Sequence, residues 1–148
     1  MRDAENMKSS ARNQWSGKVI RVHLGAVTAE VIVMLQGSTE IVATMTVDSA
    51  KRLGLENGKE VIALVNASMV IIALDFEGYA LSARNQLSGE ISSVHTGLVT
   101  ADITIRLSQG ETVTAAVTTE SCQTLGLKVG MPAIALFKAG SVVLATRR

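Results

Sequence analysis

The sequence predicts an all-β protein made of two tandem OB-like five-stranded β-barrels, each with one short helix. Three features carry this expectation: an internal duplication, a two-residue alternation of apolar side chains, and one capped helical segment per copy. Shifted by 72 positions, residues 10–74 align with 82–146 without a gap, and 27 of the 65 pairs are identical. The pentapeptide SARNQ stands at both Ser10–Gln14 and Ser82–Gln86. Gly17 matches Gly89, His23 matches His95, and GAVTAEV (25–31) matches GLVTADI (97–103). Residues 1–9 form an N-terminal extension, 10–74 and 82–146 the two domains, and DFEGYAL (75–81) the linker between them.

Within each copy the strands follow from periodicity. Val27, Ala29, Val31, Val33 and Leu35 alternate with Thr28, Glu30, Ile32 and Met34, the spacing of a half-buried strand. The second copy repeats the pattern with Val99, Ala101, Ile103, Ile105 and Leu107 on one face. Further strands are expected at 18–23, 40–46, 60–65 and 68–74, with equivalents in the second copy. Thr46 and Thr118 are placed to cap helices over VDSAKRL and TESCQTL, which Gly54 and Gly126 end. A barrel of some 65 residues is marginal alone. The outward-facing Ile32 and Met34 therefore suggest that copies, and several chains, bury surface against each other.

Composition excludes several classes. The 148 residues are 47% hydrophobic and 18% charged, with a formal net charge of +1. No broad basic face for nucleic acid is expected from that balance, and 3% aromatics leave few platforms for stacking bases. The single cysteine, Cys122, rules out an intrachain disulfide and reads as a small core residue among leucines. The longest apolar run, ASMVIIAL, is too short to span a bilayer, and MRDAENMKSS lacks the apolar centre of a signal peptide. A soluble cytoplasmic protein is expected, with neither nucleic acid nor membrane as partner. MKSSARNQ would also make a plausible start, leaving the status of the preceding six residues open.

The chemistry concentrates in the repeated polar segment. Ser10 and Arg12, and again Ser82 and Arg84, are two residues apart, so in an extended chain their side chains share a face. A hydroxyl beside a planar fork of N–H donors matches a tetrahedral oxyanion. The alternative is an arginine that ties down a neighbouring strand end through carbonyls. Near the end of each copy, VNAS (65–68) corresponds to FKAG (137–140), and Lys138 is either a solvated turn residue or an anion ligand. Helices capped by Thr46 and Thr118 offer backbone N–H groups, which Asp48 and Glu120 partly satisfy. His23 and His95 stand alone in their copies, away from any cysteine or carboxylate at metal-ligand spacing. No nucleophile elbow, phosphate loop or dinucleotide fingerprint is present, so no catalysis, no catalytic residue and no cofactor are expected.

SARNQ, GAVTAEV, the T-x-x-S-x-x-x-LGL pattern and the KAG/NAS turn before a last apolar strand recur in the same order in both copies. Together they resemble the molbindins, the Mop-domain molybdate-binding proteins, over nearly the whole chain. The resemblance implies a homotrimer that holds molybdate or tungstate between barrels, for storage or homeostasis of the oxyanion. It implies an oxyanion set of Ser10, Arg12, Thr46, Asn66, Ala67, Ser68, Ser82, Arg84, Thr118, Lys138, Ala139 and Gly140. A second class of site is implied at Gly25, Ala26, Val27 and Thr28 and at Gly97, Leu98, Val99 and Thr100. Asn66 departs from the family lysine, and positions facing it are expected to bind more weakly than those facing Lys138. Two alternatives stand beside storage: an OB-type interaction module, and a molybdate-sensor subunit acting through a protein partner. The nine residues before the first copy are too few for a helix-turn-helix domain, which favours storage over direct DNA control.

The expected ligand fits the donor set. Molybdate is fully deprotonated near neutral pH, so a pocket of donors alone suits it, whereas phosphate keeps a proton that wants an acceptor. Burial of a dianion is costly unless several donors replace its water.

Overall fold

Two five-stranded antiparallel sheets make up the computed structural model, which describes residues 7–148. Residues 1–6, most of the N-terminal extension and the segment ahead of the alternative start, lie outside the described residues. The strands are β1 (Asn13–Leu24), β2 (Thr28–Leu35), β3 (Glu40–Thr46), β4 (Glu60–Val65), β5 (Ile71–Ala73), β6 (Asn85–Thr96), β7 (Thr100–Leu107), β8 (Thr112–Thr118), β9 (Pro132–Phe137) and β10 (Val143–Ala145). Two helices, α1 (Val47–Arg52) and α2 (Thr119–Leu125), follow β3 and β8. The first sheet has the order β10-β4-β1-β2-β3, the second β5-β9-β6-β7-β8. The all-β, two-sheet architecture with one short helix per repeat is the one the sequence predicts.

The ends of the repeats are exchanged. One compact unit consists of residues 7–65 with Lys138–Arg148; the other is Asn66–Phe137. In the first unit, Val143, Leu144 and Ala145 of β10 pair with Leu64, Ala63 and Ile62 of β4. In the second, Ile71, Ile72 and Ala73 of β5 pair with Leu136, Ala135 and Ile134 of β9. The sequence repeats 10–74 and 82–146 and the compact units thus divide the chain differently. The reason is local equivalence: both three-residue strands are apolar and bury their central residue, Ile72 or Leu144. The two ends are thus alike in pattern, and each completes the sheet of the other repeat.

Curvature comes from the long first strand of each repeat. Its first half, Asn13–Lys18, pairs with β4, and its second half, from Gly17 onward, pairs with β2. The register slips between Val19 and Arg21, and correspondingly between Ile91 and Ser93 in β6. Such a bulge bends a strand and increases its twist. Gly17 and Gly89 permit close packing next to the bend. A Cβ on Gly17 would lie 2.6 Å from the Met34 carbonyl oxygen, and one on Gly89 would collide with that of Arg106.

Inward residues of the alternation form each core. Val19, Val31, Val33 and Ile41 are fully buried in the first unit, as are Ile103, Ile105 and Val113 in the second. Cys122 is buried, as its surroundings suggested. Two expectations need correction. Val27 and Val99 do not join the buried face but are 72% and 73% exposed, because β2 and β7 begin only at Thr28 and Thr100. The expected strand 68–74 is instead a 3-10 turn, Ala67–Met69, followed by the short β5. The Met69 N–H bonds the Asn66 carbonyl at 3.0 Å and closes that turn.

Gly89→Ala should destabilise the protein by about 1–3 kcal/mol, the usual cost of overpacking. A urea titration checks this as a lowered midpoint; an unchanged midpoint would mean that the β6–β7 contact can relax.

Candidate functional site

The repeated SARNQ segment is bent rather than extended. Ser10 and Arg12, like Ser82 and Arg84, occupy bends ahead of β1 and β6. Sharing a face through strand periodicity is therefore not how each pair is arranged. The glutamine closes the bend: Gln14 Nε2 donates to the Ala11 carbonyl at 3.2 Å, and Gln86 Nε2 to that of Ala83 at 2.9 Å. The asparagine anchors it. Asn13 is 3% exposed, pairs with Val65, and donates from Nδ2 to the Val65 carbonyl at 3.2 Å. Asn85 is buried likewise and pairs with Phe137. Asn and Gln thus hold the segment, while the serine and arginine of each copy stand exposed.

A second donor cluster forms where β3 turns into α1. Thr46 caps the helix, accepting from the Ser49 N–H at 3.1 Å, and its hydroxyl donates to Ser49 Oγ at 3.0 Å. Arg52 Nη2 also donates to Ser49 Oγ, at 3.4 Å. Ser49 Oγ is thus the point where Thr46 and Arg52 meet. Thr118 repeats the arrangement at α2, accepting from the Ser121 N–H at 3.0 Å and donating to Ser121 Oγ at 2.8 Å. Ser49 and Ser121, which the sequence reading did not include, join this candidate cluster through their capping threonines. Their signal was the T-x-x-S spacing, in which the serine falls within reach of its capping threonine.

The hairpin tips join this cluster. Thr28 pairs with Thr46, and the Val47 N–H donates to the Val27 carbonyl at 2.8 Å. In the second unit Thr100 pairs with Thr118, while the Thr119 N–H bonds the Val99 carbonyl and its hydroxyl the Gly97 carbonyl. The residues Gly25–Thr28 and Gly97–Thr100, expected to form a separate class, are thus continuous with Thr46 and Thr118. Their carbonyls at Val27, Val99 and Gly97 are already engaged.

The turn residues follow the chain exchange. Lys138 precedes the 3-10 turn Ala139–Ser141, which packs against β3, and a Cβ on Gly140 would lie 3.7 Å from Thr44 Oγ1. The first unit contains Ser10, Arg12, Thr46 and Lys138–Gly140, with Ser10 and Arg12 at the start of β1 and Thr46 beside the hairpin tip at its far end. The second contains Ser82, Arg84, Thr118 and Asn66–Ser68, whose turn packs on β8, with Arg84 and Thr118 likewise at opposite ends of β6. Each unit thus takes its last donors from the other repeat. Ala67 and Ala139 are buried, so only their backbone groups are candidates. His23 and His95 lie opposite Glu30 and Asp102, near the ends of β1 and β6. No cluster of three metal-ligating side chains occurs among the described residues. A groove of about 490 Å³ on the first unit, walled by Met34, Leu35, Val61 and Ile62, includes none of the candidate oxyanion residues.

The TOBE domain model matches residues 9–72 and 81–144. A solved structure, the cytoplasmic molybdate-binding protein ModG with molybdate bound, is 44% identical, with a TM-score of 0.91 over 95% of this chain and all of that one. The chain is a tandem TOBE-domain protein of the molbindin type. Among curated relatives, the molybdenum transport protein ModE of Herbaspirillum seropedicae is 43% identical over 97% of the chain. The molybdenum-pterin-binding protein MopA of Rhodobacter capsulatus is 41% identical over 94%. The chain spans about half the length of these curated relatives, 53% and 52%. Among the described residues of this molbindin-type pair, no helix is long and apolar enough to cross a membrane.

Asn13→Ala should cost about 1–3 kcal/mol, because it removes a buried donor from the Val65 carbonyl. Chemical denaturation measures the loss; unchanged stability would mean that the SARNQ bend does not depend on this bond.

Proposed function

We propose that this molbindin-type protein binds molybdate or tungstate without catalysis, as a cytoplasmic store or buffer of the oxyanion. The observation that carries the reading is the composition of the exposed donor set. In each unit a serine, an arginine, a capping threonine and its hydrogen-bonded serine stand at the surface. Likeness to ModG, seen with molybdate bound, over that protein's full length supports the ligand class. A dianion held by hydroxyl, guanidinium and backbone N–H donors regains the bonds it loses with water.

Binding sites form between copies of the chain, most simply in a trimer. Leu98 is fully exposed, and Val27 and Val99 nearly three-quarters so, beside the Thr46 and Thr118 clusters. Apolar side chains at these tips favour cover by another copy. A site closed by that cover would exclude water from the anion. Ser10, Arg12, Thr46, Ser82, Arg84, Thr118 and Lys138 supply side-chain donors, with Asn66 and Ser68 in the weaker positions. Gly25–Thr28 and Gly97–Thr100 contribute backbone groups at the same tips.

The ModE relatives support one second reading, in which the TOBE pair is the sensing half of a regulator. The Escherichia coli relative is a DNA-binding transcriptional dual regulator, and the chain matches 53% of its length. A protein partner captured only with molybdate present would favour that role over storage.

Thermal unfolding with molybdate, tungstate, sulfate or phosphate tests the ligand. Molybdate and tungstate should raise the melting temperature by several degrees, since ligand at 100 times Kd adds about 2.7 kcal/mol. Sulfate and phosphate should not; Arg84→Ala should reduce the rise, and Arg12→Ala with Arg84→Ala should flatten it. An equal rise with sulfate, or none with molybdate, would refute the proposal.

A further inference from the structure

The groove of the first unit lies where β4, β1 and β2 run side by side. Across these strands Ser16 pairs with Ile62, and Lys18 pairs with both Met34 and Glu60. Met7 and Arg147 also line it. Met7, Met34 and Ile62 are half-buried and form an apolar wall, while Lys18, Glu60 and Arg147 are exposed. Its volume of about 490 Å³ falls within the range of small-molecule pockets, roughly 300–1,000 Å³. Ser16 Oγ is buried without a hydrogen-bond partner, an unmet bond at a groove-lining residue.

The duplication supplies an internal control. At matched positions of the second unit, Arg106 stands for Met34, Glu90 for Lys18 and Asp75 for Arg147. Both groove cations thus become carboxylates, and the apolar wall gains a charge that faces Glu90 across the strands. Ser88, the counterpart of Ser16, is exposed, and Tyr79, the counterpart of Met7, is 77% exposed. Core positions show no such divergence, with Val33 and Leu35 matched by Ile105 and Leu107. The wider field agrees. Among the described residues Lys and Arg outnumber Asp and Glu ten to five in the first unit, against three to six in the second. A basic surround draws anions toward the first unit.

We propose that this groove is a binding site for a small apolar monocarboxylate, separate from the oxyanion positions. The hydrocarbon part lies against Met7, Met34 and Ile62, where unbranched methionines adapt to its shape. The carboxylate meets Lys18 and Arg147 through charge-assisted bonds. Glu60 leaves the groove one cation in excess, which matches a single negative charge and disfavours a doubly charged oxide. The site goes beyond the molybdate reading and does not depend on it.

Carbon-13 methyl-methionine spectra of the full chain test this, with decanoate, kept below its micelle concentration, as the probe. The Met7 and Met34 methyl signals, assigned with Met7→Leu and Met34→Leu, should shift saturably while the other methionines stay in place. Molybdate should not reverse the shift. Lys18→Glu with Arg147→Asp, the residues of the matched positions, should weaken decanoate binding about tenfold or more. The same variant should bind decyltrimethylammonium better than wild type does. Melting temperatures without ligand check that the variant is folded, and sedimentation compares its assembly with wild type. No saturable shift, or a shift indifferent to the charge reversal, overturns the proposal. Disassembly on charge reversal also overturns it, because another copy of the chain would then cover the groove. None of these outcomes touches molybdate binding, which the melting series above reads separately.

Discussion

Two three-residue strand pairings set the organisation of this chain. Val143–Ala145 completes the sheet begun by the first repeat, and Ile71–Ala73 completes that of the second. Each pairing adds few hydrogen bonds, yet each also brings a 3-10 turn against β3 or β8 and buries Ala139 or Ala67, together with Val142 or Val70. Neither repeat finishes its own sheet in this arrangement. The duplicated motifs therefore describe ancestry, while the donor sets that face solvent are composite.

Much of the fold was legible because its signals are local. Alternation in 27–35 and 99–107 reports which side chains face the core, and Thr46 and Thr118 cap their helices as their positions suggested. The exchange was not legible, because Ile-Ile-Ala and Val-Leu-Ala present the same apolar pattern to either partner strand. Val27 and Val99 misled for a related reason: alternation continues into the hairpin tip, where no second layer covers it. Of the candidate site, the serine and arginine of SARNQ stood out in the repeat, and they are exposed. The work of its Asn and Gln was not, since it depends on the neighbouring carbonyls of Val65, Ala11 and Ala83.

Rigid support and exposed donors are divided between residues in a consistent way. Asn13 and Asn85 are buried while the arginines next to them are exposed. Thr46 and Thr118 spend one lone pair on the helix and turn their hydroxyl hydrogens toward Ser49 and Ser121. Groups held this way lose little freedom when an anion arrives, which favours binding. A doubly charged oxide still demands more donors than one hydroxyl pair provides. On the proposed reading, closure by a second copy over the apolar tips would meet that demand and link anion binding to assembly.

Anomalous scattering from tungsten, in crystals grown with tungstate, tests most directly whether these donors hold the oxyanion. Tungsten should appear where its oxide oxygens accept hydrogen bonds from an Arg12 or Arg84 guanidinium and from hydroxyls of the Thr46–Ser49 or Thr118–Ser121 pairs. Tungsten bound only elsewhere, with both Ser-x-Arg segments contacting protein alone, would contradict the assignment.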